Sequence, residues 1–72
     1  MNGARGSMER MRSAATCIAS LSKTGKTTPE EVGRKHGHTF IQFDKLSELE
    51  MDAAVMMAKA VLAAELKGGA GR

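Results

Sequence analysis

Tryptophan and tyrosine are missing from this chain, and Phe40 and Phe43 are its only aromatic residues. Surfaces that stack nucleobases normally present several exposed rings, so nothing here supports one. Cys17 is the sole cysteine, which excludes an internal disulfide and suits a reducing cytoplasm. The longest uncharged apolar run falls short of the ~20 residues that span a bilayer, so no membrane crossing is expected. Arg5, Arg10 and Arg12 among serines resemble a transit peptide less than the polar side of a helix, because Glu9 interrupts them. No acid–base pair stands at a recognisable spacing and the chain offers little volume for a cleft. Enzymatic activity is therefore not expected.

What remains is a single small domain over residues 1–72, with flexible ends expected at 1–6 and 68–72. A chain this short buries only about 60% of its unfolded surface, and such chains commonly add disulfides, a metal or self-association. With the first excluded and metal ligands sparse, oligomerisation is the expected supplement. Six methionines supply adaptable apolar bulk for a core or a binding surface. Charge is uneven: residues 1–35 hold seven cations against three glutamates, whereas the remainder holds four against five acids. The basic front half suits an approach to nucleic acid or to an acidic protein surface.

Helical spacing predicts an all-α fold of three helices. Met11, Ala14, Ala15, Ile18 and Leu21 share one face, Ser7 is placed to cap and Gly25 to stop, giving a first helix over 7–24. Thr28-Pro29-Glu30-Glu31 reads as a capping box with proline at the first helical position, opening a short helix over 29–36 that ends at Gly37. His38–Phe43 carries β-branched and aromatic residues and reads as a short strand or extended segment. The long helix spans 44–67, with Ser47 and Glu50 as a second capping box and Gly68-Gly69 as its stop. Between Ala53 and Ala64 only Lys59 is charged, so this helix needs cover on more than one side. Leu49, Ala53, Met57, Ala60 and Ala64 form the expected homodimer seam, while Met51, Ala54, Ala58, Val61 and Leu62 face the first helix.

Three short motifs carry less than they suggest. Gly25-Lys26-Thr27-Thr28 looks like the end of a phosphate-binding loop, but Ser20 stands where its first glycine belongs. His36 and His38 lack the cysteine pair or further close ligands that structural zinc uses. Cys17 lies beside the apolar face of the first helix, where a free cysteine behaves as a small hydrophobe. No metal, cofactor or catalytic residue is assigned.

Residues 28–46 look like a helix-turn-helix, with Gly37 in the turn and Thr39 capping a recognition helix. That resemblance implies a DNA-binding regulator using Lys26, Arg34, Lys35, Gln42 and Lys45. It departs from the pattern at His36 and His38, where apolar packing is usual, and at Asp44, which repels phosphate. The favoured expectation is a non-enzymatic regulator or inhibitor that binds a protein partner as a helical homodimer. Small accessory proteins of bacterial or phage type share that build. Arg10, Arg12, Lys23, Lys26, Phe40 and Phe43 are the expected partner-binding residues.

Overall fold

The computed structural model describes residues 2–70, with side chains described for residues 6–67. It is all-α: α1 (Asn2–Gly25), α2 (Pro29–Phe43) and α3 (Glu48–Ala70), with no strand among the described residues.

Two cross-links set the direction of the long helices. The Ser7 hydroxyl donates to the Glu50 carboxylate near the start of both α1 and α3. Lys23 donates to Glu65 at 2.9 Å near their far ends. α1 and α3 therefore run parallel. α2 returns antiparallel and packs against both, most closely α3, since Lys59 meets Glu30 at 2.6 Å while Gly33 lies beside Val55 and Gly37 beside Met51. The packing residues are small. Ala14, Ala15 and Ala19 on α1 and Ala54 and Ala58 on α3 are all buried, and among the described residues only Ile18 is a large side chain with no exposure at all. Short side chains let the helix backbones approach closely, at the expense of apolar volume.

The first helix starts five residues earlier than the expected 7–24. Ser7 lies inside α1 and spends its hydroxyl on Glu50 rather than on a first-turn amide. Leu21, expected inward, is 37% exposed, and Ala19 and Ser22 take the inner positions. The stop also works differently. Gly25 keeps a negative φ, and Lys26 takes the left-handed conformation at φ 53°. Thr27 N–H donates to Ser22 O at 2.9 Å and Lys26 N–H to Lys23 O at 3.4 Å, the paired bonds of a Schellman cap.

α2 does not end at Gly37, and no strand or extended segment forms over residues 38–43. One continuous helix runs to Phe43. Pro29, Gly33, Gly37 and Phe40 recur every three or four residues along its inner side. Two of those four are glycines, so the helical line carries little hydrophobic signal, and packing overrides the local β preference of Thr39 and Ile41. Glu31 N–H donates to Thr28 Oγ1 at 3.2 Å, the expected N-cap. The Glu31 carboxylate turns to Arg34 at 3.3 Å instead of closing the box.

α3 starts at Glu48 rather than Asp44, and its capping box is complete. Ser47 N–H donates to Glu50 Oε1 at 2.8 Å, and Glu50 N–H donates to Ser47 Oγ at 3.2 Å. The helix runs through Gly68-Gly69 to Ala70, so these glycines are not its stop. The remaining expected tail, residues 71–72, lies outside the described residues, as does Met1.

Candidate protein-binding surfaces

α2 ends by lifting Phe43 off the core. Asp44 N–H still bonds Phe40 O at 3.1 Å, after which Lys45 turns left-handed at φ 59°. Leu46, buried, then pins the connection to α3. This leaves Phe43 70% exposed. It lies in an open groove of about 500 Å³ between the start of α1 and the α2–α3 turn. Glu9, Arg10 and Ser13 form one wall, and Phe43, Asp44 and Lys45 the other. The groove thus joins one aromatic ring to charged groups of both signs.

The expected partner-binding residues fall into separate places. Arg10 and Phe43 meet in this groove, and Arg12 is exposed on α1. Phe40 is 6% exposed and belongs to the core, because the continuous α2 turns it inward three residues before Phe43. Lys23 and Lys26 lie at the other end of α1. Thirteen helical residues separate Arg10 from Lys23, about 20 Å at the usual rise. Lys23 is bound to Glu65 and lines a second groove of about 380 Å³ with Leu62 and Leu66. Lys45 was placed by sequence only in the DNA-facing set. Nothing local to residue 45 announces its place opposite Arg10, which depends on how the α2–α3 turn folds back.

The residues expected at the dimer seam lie on the uncovered side of α3, with one exception. Leu49 is 81% exposed, Ala60 and Ala64 are exposed and Ala53 is half-buried. Met57 instead packs against the core, and Met56, 67% exposed, stands on the outer line. Alternating spacing of four and three from Leu49 through Ala53 leads to Met56, so that choice was available from sequence.

The helix-turn-helix expected over 28–46 is not formed, since Gly37 and Thr39 lie within one helix. Lys35 and Gln42 are exposed on α2, Arg34 is paired with Glu31, Lys26 is in the preceding turn and Lys45 in the groove. Residues 28–46 hold one helix and a turn, with no recognition helix of their own. His36 and His38 are both exposed, and no three His, Cys, Asp or Glu side chains converge among the described residues. Cys17, expected beside the apolar face, is exposed.

One ion pair shifts a titration. The hydrogen bond from the Lys59 ammonium, then one from its own backbone amide, lowers the Glu30 carboxyl below its ordinary value. No helix among the described residues is long and apolar enough to cross a membrane. No family model, curated protein or solved structure matches the chain.

Proposed function

We propose that this chain is a non-enzymatic regulator of inhibitor type, which binds a protein partner through the Phe43 groove and acts as a helical homodimer. The observation that carries this reading is the exposure of Phe43, 70%, in a chain with only two aromatic residues. A ring left in water beside cations and carboxylates has the make-up of an interface anchor, an apolar centre with a polar rim. Arg10 and Lys45 would engage acidic groups of the partner, and Glu9 and Asp44 basic ones. The free thiol at Cys17 suits a reducing compartment, so a cytoplasmic setting of bacterial or phage type is part of the reading.

The test compares immobilised wild type with Phe43→Ala in capture from the source cell. Phe43 is mostly exposed, so the variant should keep its helicity and melting temperature. Loss of an anchor costs binding about 2 kcal/mol or more. A protein retained by wild type, persisting in high salt and lost with Phe43→Ala is the expected result. Equal retention by both forms would overturn the assignment. Capture dominated by nucleic acid, falling steeply with salt, would replace it with a phosphate-binding role.

A further inference from the structure

The geometry points to a second copy of this chain, packed antiparallel along the outer face of α3, as the occupant of that face. The proposal rests on the dimeric reading above and supplies its seam, direction and register.

Leu49, Ala53, Met56, Ala60 and Ala63 follow one another at four- and three-residue spacing, so they form a single line along α3. Leu49 is 81% and Met56 67% exposed, Ala60 and Ala63 are exposed, and only Ala53 among the five is half-buried. From Leu49 to Ala60 the side chains alternate large and small, and Ala63 ends the line with a second alanine. An antiparallel copy can therefore set Leu49 against the partner's Ala60 and Met56 against the partner's Ala53, with the two-fold axis repeating both contacts. Each of these four layers then joins one bulky residue to one alanine, which keeps the helix separation even.

Charge selects the same register. Asp52 and Lys59 flank the line on its α2 side, and both are exposed. Glu30 holds the Lys59 ammonium at 2.6 Å and so fixes it at that edge. In the antiparallel pairing described, Asp52 faces the partner's Lys59 and Lys59 faces the partner's Asp52. Sliding the copies by one heptad opposes the two Lys59 side chains instead. A parallel pair stacks Leu49 on its equivalent and Ala53 on its equivalent, alternating wide and narrow layers, and gives Asp52 no cation. Only the first arrangement satisfies both packing and charge.

The experiment uses the full chain with Cys17→Ser. Sedimentation equilibrium comes first: a monomer at all concentrations would overturn the dimer and the seam together. Under mild oxidation, Ala53→Cys mixed with Met56→Cys should form a mixed disulfide, and Ala53→Cys alone should not link to itself. Self-linking of Ala53→Cys, or a dimer that links in neither case, would overturn the register while leaving the dimer intact. Asp52→Lys and Lys59→Asp should each weaken association by roughly tenfold or more. The double variant Asp52→Lys/Lys59→Asp, and an equimolar mixture of the two single variants, should restore it. Circular dichroism separates lost association from lost folding. Folded single variants that associate like wild type would overturn the charge pairing.

Discussion

Lys26 holds a left-handed backbone, φ 53°, that an L-residue enters at a cost of about 1 kcal/mol. Its neighbour Gly25, which could adopt that conformation freely, stays helical. Lys26→Gly should therefore stabilise the protein by about 1 kcal/mol, raising the melting temperature by roughly 4–8 °C in a thermal scan. Inside α2 two glycines have opposite prospects. A Cβ at Gly37 would meet the Met51 methyl at 3.9 Å, an ordinary contact, so Gly37→Ala should gain about 1 kcal/mol of helix propensity. At Gly33 the same atom would fall 2.9 Å from Val55 Cγ2 and 3.3 Å from Met51 Cε. Valine is stiff at χ1 and yields poorly. Gly33→Ala should lower the melting temperature where Gly37→Ala raises it, and equal gains would show that α2 moves away from α3 at little cost.

At the scale of elements, the three helices were legible wherever their ends are coded locally. Thr28 with Pro29, and Ser47 with Glu50, announce their helices in a few neighbouring residues. The start of α1 was not legible, because Ser7 answers to Glu50, a residue brought beside it only by packing. The 38–43 segment misled for a different reason: Gly33 and Gly37 mark the inner line of α2 by being absent side chains. Of the candidate site, Arg10 and Phe43 could be singled out individually, whereas their meeting in one groove is tertiary. The junction of α2 with α3 also has a pH signature. Glu30 is held below its ordinary value of 4.5 by Lys59, so its stabilising contribution is present above that value and is lost as pH falls through the lower folded pKa. Lys59→Met removes the cause. Urea titrations at about pH 6 and about pH 3 should show a smaller loss of stability on acidification for the variant than for wild type. A loss as large in the variant would mean that the pair does not act on folding.

For the whole molecule, the accessible surface is 5228 Å², against roughly 4,300 Å² expected for a compact monomer of this mass. The Cα extents of 39 × 27 × 15 Å depart far from a sphere, and an elongated three-helix packing exposes more surface than a compact one. Such a shape has little interior, and among the described residues Ile18 is the only large side chain fully enclosed. Pairing through α3 offers the apolar cover that a lone chain of this shape lacks. The melting temperature should consequently rise with protein concentration, as binding to the folded state alone requires, and at equal concentration should be lower for Asp52→Lys. Concentration-independent melting of wild type across the range of a scanning calorimeter would place all the stability within one chain.

The parallel course of α1 and α3 has an electrical consequence. Helix dipoles carry about half a positive charge at the N-terminus and half a negative charge at the C-terminus. α2 runs against both neighbours but offsets the dipole of only one, so a single chain keeps the moment of roughly one long helix. Two chains approaching with their α3 helices opposed attract before any side chains touch, and two approaching with them aligned repel. The antiparallel two-fold cancels the moment along the helix direction, so the field that first orients the partners vanishes once they have docked.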